Sequence, residues 1–266
     1  MNNNFLDHND RKLSLDFEKE GYLVRETKNK DSLRKLRKIV IDSIKKKIKI
    51  SSVNDDNLLN NFHKFIKKDQ LNEIRLSIIK NINKNKNFRK YYFQVAKDYL
   101  DILVGNELAM QTRVNLSIQT PKDKSSLLPI HSDVWSGDSA FEIVVWIPLV
   151  DCYKTKSMYI LKPDEFKKVN NSIFKKRKNS SEIIFKSLKN KVTWIDIKYG
   201  EVLLFNQSLP HGNVPNDERD TRWSLNCRFK SVFTPYRDKK LGEFFEPITL
   251  RKVSELAINY KLPKIK

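Results

Sequence analysis

The sequence predicts a single α+β domain in which helices pack against a β-sandwich or a small barrel. Two observations support this: apolar residues recur at helical spacing in the N-terminal part, and short alternating segments replace them further on. The 266 residues suffice for one large domain with a sizeable core. We expect a mainly helical part over residues 1–105, a β core over residues 106–235 and a tail with one helix over residues 236–266.

Three stretches of the N-terminal part have an apolar face at helical spacing. The first, residues 31–44, begins with Asp31 as a candidate N-cap. The apolar positions of the three stretches are Leu33, Leu36, Val40 and Ile44; Leu71, Ile74, Ile78 and Ile82; and Tyr92, Val95, Tyr99 and Leu103. Ahead of them, Gly21 is expected to stop a helix, and a short strand follows near residues 21–25.

Alternating patterns begin near residue 110 and predict four strands. Residues 110–119 carry Gln111, Arg113 and Asn115 on a polar face, and further strands are expected at residues 141–150, 200–205 and 222–229. Residues 154–191 are rich in lysine and are expected to form an irregular surface insertion with one helix near residues 164–169. The helix of the tail is expected to start near Thr249.

Composition and charge exclude several classes of protein. The chain is 39% hydrophobic and has only 2 cysteines, which excludes a disordered protein and a disulfide scaffold. No apolar run is long enough to span a bilayer and no secretory signal is recognisable, so we expect a cytoplasmic protein without membrane contact. The formal net charge of +20 attracts polyanions, but most of the cations are lysines, which favours a solvated surface over a nucleic-acid site.

Two of the four histidines lie in a context that indicates a metal. His131 and Asp133 are two residues apart, so their side chains share one side of an extended segment. His211 follows the predicted strand at residues 200–205. Two imidazoles and one carboxylate form the facial set that holds iron in non-haem Fe(II) oxygenases. The alternative is a loop histidine beside an aspartate turn, without a metal.

The strand at residues 222–229 carries a polar face: Arg222, Ser224, Asn226 and Arg228. A strand that only packed against a core would not have this pattern. The guanidinium of Arg222, supported by the hydroxyl of Ser224, suits the binding of a cosubstrate carboxylate. The alternative for Arg222 is a surface ion pair with Asp217 or Glu218.

Residues 111–229 resemble the phytanoyl-CoA dioxygenase superfamily of Fe(II)/2-oxoglutarate-dependent oxygenases. Residues 111–115 and 131–135 are similar to its ectoine hydroxylase branch, and residues 221–231 resemble a group found in bacterial carbohydrate-biosynthesis clusters. The resemblance implies a double-stranded β-helix (jelly-roll, cupin-like) core flanked by the N-terminal helices. The spacing between Asp133 and His211 is longer than in many members, and residues 154–191 account for the surplus.

The resemblance also implies roles for individual residues. His131, Asp133 and His211 are the expected iron ligands. Arg222 and Ser224 would bind one carboxylate of 2-oxoglutarate, and Asn115 or Gln111 would lie near its other end or near the primary substrate. The expected substrate contacts are Arg113, Trp135, Asn226 and Arg228.

Several of these residues have a second interpretation that the sequence leaves open. Arg228 can form a salt bridge across strands, and Trp135 can pack in the core. Gln111, Arg113 and Asn115 can belong to a polar face that only meets solvent. Cys152 and Cys227 are expected to be small core residues.

The activity implied by the resemblance is that of an Fe(II)/2-oxoglutarate-dependent dioxygenase, with O2 as second cosubstrate. It would hydroxylate a small polar metabolite, a sugar or a nucleotide-sugar of carbohydrate biosynthesis. Asp133 favours hydroxylation over halogenation, because halogenating relatives have a small residue at that position. Two other hypotheses are a non-catalytic jelly-roll protein that binds a ligand, and an oxygenase that modifies nucleic acid or nucleotides.

Overall fold

A computed structural model describes residues 5–176 and 180–263 of the chain. Within these ranges, helices precede and flank two antiparallel sheets, which confirms the predicted mixture of helix and sheet. The α-helices are α1 His8–Glu20, α2 Lys30–Ile48, α3 Asp55–Asn60, α4 Leu71–Lys84, α5 Phe88–Leu103, α6 Pro163–Lys176, α7 Ser181–Leu188 and α8 Lys252–Asn259. No helix within the described residues is both long and apolar enough to cross a membrane.

The strands form one large and one small sheet. They are β1 Tyr22–Glu26, β2 Leu108–Gln111, β3 Asn115–Gln119, β4 Ile143–Pro148, β5 Tyr159–Ile160, β6 Thr193–Trp194, β7 Glu201–Asn206, β8 His211–Gly212, β9 Arg222–Ser231 and β10 Phe245–Pro247. In the large sheet the order is β1-β7-β4-β9-β2-β10, and β3 also pairs with β9. The small sheet has the order β6-β5-β8.

The predicted helical faces are confirmed with one correction at a cap. Helix α2 buries Leu33 and Leu36, and α4 buries the four apolar positions expected of it. The cap of α2 is Asn29 and not Asp31: its side chain accepts a hydrogen bond from the backbone N–H of Ser32 at 2.9 Å. The Asn29 oxygen therefore accepts from one of the backbone N–H groups of the first turn, which have no acceptor inside the helix.

Gly21 ends α1 and starts β1, as predicted. Its φ angle of 74° lies in the left-handed region, and its N–H donates to the carbonyl of Phe17. A Cβ at this position would lie 2.2 Å from Cδ1 of Leu209, so the close approach also requires glycine. Strand β1 then pairs antiparallel with β7 along the edge of the large sheet.

The prediction of one continuous strand over residues 110–119 is wrong. The structure has β2 and β3 with a break at residues 112–114. The side chain of Asn83 in α4 stabilises this break. Its Oδ1 accepts from the N–H of Val114 at 2.8 Å, and its Nδ2 donates to the carbonyl of Val114 at 3.0 Å. These bonds replace ladder bonds of a sheet, and Arg113 turns outward and is exposed.

The prediction of an irregular surface insertion over residues 154–191 is also wrong in part. Residues 158–161 are buried, and β5 is the central strand of the small sheet. Helices α6 and α7 follow it, with Ile184 and Leu188 buried beside Tyr159 in a second apolar cluster. Residues 177–179 of the predicted insertion lie outside the described residues.

The main core lies between the helices and the large sheet. The hydroxyl of Tyr92 in α5 donates to the carbonyl of Val145 at 2.7 Å, and the indole N–H of Trp223 donates to the carbonyl of Leu59 at 2.9 Å. Cys152 and Cys227 are fully buried in this core, as expected of small core residues. The helices therefore cover one face of the sheet and leave the other face to the polar side chains of β3 and β9.

Two substitutions in α4 test this packing. Ile78 is 0% exposed and Leu76 is 57% exposed. We expect Ile78→Ala to lower the free energy of unfolding by about 2–5 kcal/mol, because it leaves a cavity in the core. Leu76→Ala should change that free energy by less than about 0.5 kcal/mol. Urea unfolding followed by circular dichroism measures both, and equal losses would contradict the assigned face.

Candidate metal centre

The two predicted histidine ligands meet through their own backbone. The N–H of His131 donates to the carbonyl of His211 at 2.9 Å, and the N–H of His211 donates back to the carbonyl of His131 at 2.8 Å. These two reciprocal hydrogen bonds form an isolated antiparallel β-bridge. It brings two segments 80 residues apart in sequence into direct contact, with the imidazole centroids 4.4 Å apart.

Asp133 lies beside the two imidazoles because the chain turns directly after His131. Residues Asp133–Ser136 form a 3-10 helix, and the N–H of Asp133 donates to the carbonyl of Gln207 at 3.1 Å. Oδ1 of Asp133 lies 3.4 Å from Nε2 of His131 and 4.0 Å from Nε2 of His211. The three candidate ligand atoms lie within 4.8 Å of one another, and Asp133 and His211 are buried.

The hydrogen bonds of the imidazoles fix which nitrogen faces the centre. Nδ1 of His131 lies 2.7 Å from the carbonyl of Pro129, and Nδ1 of His211 lies 2.9 Å from the carbonyl of Leu209. A carbonyl only accepts, so each Nδ1 carries a proton, and in the neutral imidazole each Nε2 presents a lone pair. Both Nε2 atoms and a carboxylate oxygen then converge on one point. This arrangement is suited to a cation.

The pKa directions of the two histidines differ. Burial would lower the pKa of His131, but its hydrogen bond to Asp133 and the Asp133 charge raise it. Burial alone would raise the pKa of Asp133, but the His131 hydrogen bond and the charges of His211 and Arg228 hold it well below its ordinary value. Burial, together with repulsion from His131, lowers the pKa of His211 to about 4. The carboxylate is therefore ionised and His211 neutral at neutral pH, which are the states that bind a metal.

The triad opens onto a cavity of about 400 Å³ between the two sheets. Strand register aligns its polar wall: Asn115 of β3 is opposite Asn226 of β9, and Ser117 is opposite Ser224. Nδ2 of Asn115 donates to Oδ1 of Asn226 at 3.0 Å. The apolar wall consists of Leu116, Leu127, Leu128, Val144, Trp146, Met158 and Phe205. The cavity thus combines the candidate metal ligands with several hydrogen-bonding groups.

Arg222 lines this cavity and is only 2% exposed, so the alternative of a surface ion pair is wrong. Asp217 instead pairs with Lys122, and Glu218 accepts from Thr155. Nη1 of Arg222 donates to the carbonyl of Ser157 at 3.1 Å and Nη2 donates to Oγ of Ser117 at 2.8 Å. Among the described residues, no carboxylate lies within ion-pair distance of its guanidinium.

Four polar atoms around Arg222 are buried without a hydrogen-bond partner among the described residues. Three can donate, namely Nε of Arg222, Oγ of Ser224 and Oγ of Ser157, and the fourth is the acceptor Oε1 of Gln119, which is opposite Arg222 in β3. Burial lowers the pKa of Arg222 to about 10, because the guanidinium is desolvated without a neutralising anion. Buried donors without partners are costly and rare, so this corner of the cavity is suited to an anion with several acceptor oxygens.

The other predicted site residues differ in whether they line the cavity. Asn115, Asn226 and Arg228 do. Gln111 does not: its Oε1 accepts from the backbone N–H of Arg228 at 3.3 Å, so it supports a cavity residue from behind. Ser224 is on the cavity side of β9 but fully buried beside Arg222.

Arg113 and Trp135 do not line this cavity. Arg113 is exposed in the break between β2 and β3, away from the cavity. Trp135 is half-buried and packs against the second apolar cluster, which agrees with the alternative of core packing. The expectation for Arg113 assumed that side chains alternate along one unbroken strand over residues 110–119, and the Asn83 hydrogen bonds interrupt that strand.

Two cavity residues have no sequence motif that indicates them. Arg75 comes from α4, and its Nη2 donates to Oγ of Ser126 at 2.5 Å. Asn213 accepts at Oδ1 from the N–H of Leu128 at 2.8 Å and so holds the loop that forms one wall. The only local signal was the position of Asn213 two residues after His211.

No protein-family model and no curated protein sequence matches the chain. Solved structures are similar to it. The non-haem monooxygenase ThoJ in a nickel complex has a TM-score of 0.52 at 12% identity, over 89% of this chain and 84% of that one. EctD from S. alaskensis, solved with 2-oxoglutarate and 5-hydroxyectoine, has a TM-score of 0.55 at 16% identity, over 89% and 80%. AviO1 from Streptomyces viridochromogenes Tue57 has a TM-score of 0.51 at 14% identity, over 87% and 100%. The chain therefore shares the fold of these proteins.

Metal addition tests the centre directly. We expect Mn(II) at about one hundred times its dissociation constant to stabilise the protein by about 2.7 kcal/mol, because the site exists only in the folded chain. His131→Ala and His211→Ala should each lose this stabilisation. His8→Ala, at an exposed position in α1, should keep it. Thermal unfolding with and without Mn(II) measures the difference, and an equal response of all three variants would contradict the assigned ligands.

Proposed function

We propose that the chain is an Fe(II)- and 2-oxoglutarate-dependent dioxygenase that hydroxylates a small polar metabolite. The observation that carries this proposal is the pairing, in one cavity, of a His131–Asp133–His211 cation site with a buried and unpaired Arg222. A metal site alone fits many functions. A metal site beside a buried arginine that has no anionic partner fits a reaction in which one bound diacid contacts both the metal and the arginine.

The residues present fit Fe(II). His131, His211 and Asp133 would hold the ion with two nitrogens and one oxygen, and would leave positions on the ion open for a cosubstrate. Bound Fe(II) would activate O2, coupling the oxidative decarboxylation of 2-oxoglutarate to succinate with the hydroxylation of a C–H bond. The imidazole orientations that this requires are already set by the carbonyls of Pro129 and Leu209.

The surroundings of Arg222 fit the distal carboxylate of 2-oxoglutarate. Nε of Arg222 and Oγ of Ser224 are two unpartnered donors beside each other in β9, and a carboxylate supplies acceptors for both. Such a carboxylate would also neutralise the desolvated guanidinium. Ser117 and the carbonyl of Ser157 hold the other two nitrogens, so the guanidinium is oriented before the anion arrives.

The remaining cavity surface is suited to a polar substrate with an apolar face. Asn115 and Asn226 present amide donors and acceptors, which suit hydroxyl groups, and Trp146 contributes an aromatic surface. Val144 adds apolar surface to the cavity wall, and the ring of Phe205 packs against that of His211 with centroids 4.9 Å apart. This combination supports a sugar or a nucleotide-sugar as the substrate class.

The two sheets support assignment of residues 106–235 as a double-stranded β-helix core. The large sheet carries Arg222, the small sheet carries His211, and the bridge from His131 to His211 joins the two ligand segments between them. The helices of residues 1–105 would support the large sheet from outside, so that the chain acts as one oxygenase domain.

The enzymatic test is succinate formation. We expect the Fe(II)-loaded protein to release succinate from 2-oxoglutarate in an O2-dependent manner, and a matching substrate from a panel of sugars and nucleotide-sugars to increase the rate. Without O2, the complex with Fe(II) and 2-oxoglutarate should show a weak visible charge-transfer band that His131→Ala abolishes. A band unchanged in His131→Ala would contradict the metal assignment. A protein that binds both but never forms succinate would be the non-catalytic binding protein.

Arg222→Met tests the cosubstrate assignment separately. We expect 2-oxoglutarate to bind at least about 30-fold more weakly, because truncating one partner of a buried charged pair costs about 2–5 kcal/mol. Fe(II) should still bind, since Arg222 is not a ligand. Arg25→Lys is the control, because Arg25 pairs with Asp16 at 3.0 Å on the outer strand β1. Unchanged affinity in Arg222→Met, measured by titrating the charge-transfer band, would contradict the assignment.

A further inference from the structure

Arg228 lies directly behind the candidate ligand Asp133. Its Nη2 lies 2.7 Å from Oδ2 of Asp133, with the Arg228 side chain 16% and the Asp133 side chain 8% exposed. The two oxygens of the Asp133 carboxylate therefore have different partners. Oδ1 faces the two histidines, and Oδ2 faces the guanidinium.

The other nitrogens of Arg228 are held by the protein as well. Nε donates to Oε1 of Gln207 at 2.9 Å and lies 3.5 Å from Oδ1 of Asp138, and Nη1 donates to Oε1 of Gln111 at 3.4 Å. Each nitrogen of the guanidinium is therefore engaged. These contacts favour the alternative of a salt bridge for Arg228, but its partners Asp133 and Asp138 lie in the 3-10 helix and the loop after it, not in a neighbouring strand.

The groups that hold Arg228 are themselves fixed. Nε2 of Gln207 donates to Oε2 of Glu142 at 2.8 Å and to the carbonyl of Ser139 at 3.0 Å. Oε1 of Glu142 accepts from the N–H of Ser139 at 2.9 Å. Gln207, Glu142 and Ser139 are all buried. A planar guanidinium in such a frame cannot rotate away without leaving several buried polar groups without partners.

We propose that Arg228 is a positioning residue that keeps Asp133 bound to the metal through one oxygen only. A carboxylate can bind a cation through one or both oxygens. Here Oδ2 would have to leave Arg228 to become a second ligand. By preventing this, Arg228 preserves the open positions that 2-oxoglutarate needs. The inference rests on the proposed metal site, and it assigns the buried group of Arg228, Gln111, Gln207 and Glu142 to this task.

The water count of the Mn(II)-loaded protein, without 2-oxoglutarate, tests the proposal. Three protein ligands on a six-coordinate ion leave about three positions for water, and a second oxygen from Asp133 would leave about two. In Arg228→Gln, which removes the cation, we expect the water-proton relaxation enhancement per bound Mn(II) to fall by about one third. Arg228→Lys should retain the wild-type value, because an ammonium can still pair with Oδ2.

The controls separate this role from simple stability and from failure of the metal site. Arg25→Lys changes an ion pair remote from the cavity and should leave relaxation unchanged. Circular dichroism and the Mn(II) binding isotherm are recorded for each variant. If wild-type protein binds no Mn(II), the proposed function fails. If wild type binds Mn(II) and Arg228→Gln binds it with an unchanged relaxation enhancement, the function stands and the role of Arg228 is wrong.

A measurement on the wild-type protein applies even if Arg228→Gln does not fold. The infrared difference spectrum on Mn(II) binding reports the separation of the two carboxylate stretches, which is wider for one-oxygen than for two-oxygen coordination. We expect the wide separation, and Asp133→Ala should remove the signal. A narrow separation that Asp133→Ala removes would overturn the proposal.

Discussion

The two backbone hydrogen bonds between His131 and His211 are the constraint on which the rest of the site depends. They join the segment before the 3-10 helix at Asp133 to the strand β8 of the small sheet. Gly212 makes this approach possible, because a Cβ there would lie 2.8 Å from the carbonyl of Leu128. Once the two segments are paired, the spacing of His131 and Asp133 places all three ligand atoms within reach of one ion.

The helices explain how the sheet can carry a polar face. Strand β9 is buried along most of its length, with Trp223, Leu225 and Cys227 against the helical core. That packing offsets the cost of burying Arg222 and Arg228 on the opposite face. Arg228 is neutralised inside the protein by Asp133 and Asp138, whereas Arg222 has no carboxylate partner among the described residues. This difference is why we propose that Arg222, and not Arg228, binds the diacid.

Features that depend on the residue pattern within a single helix or strand could be predicted from the sequence. The apolar faces of α2 and α4, the stop at Gly21 and the polar side of β9 all follow from spacing within one element. The break at residues 112–114 could not be predicted, because it depends on the amide of Asn83, thirty-one residues away. The partners of Gln111 and Arg228 were missed for the same reason: an alternating strand shows which side chains share a face and not which of them meet each other.

We propose that one cavity holds a metal on His131, Asp133 and His211 and a diacid on Arg222. Crystals grown with Mn(II) and 2-oxoglutarate test it most directly, through the anomalous signal of the metal and the density of the diacid. We expect the metal on both Nε2 atoms and Oδ1 of Asp133, with the distal carboxylate of 2-oxoglutarate on Arg222 and Ser224. Metal bound elsewhere, or 2-oxoglutarate bound away from Arg222, would contradict the account.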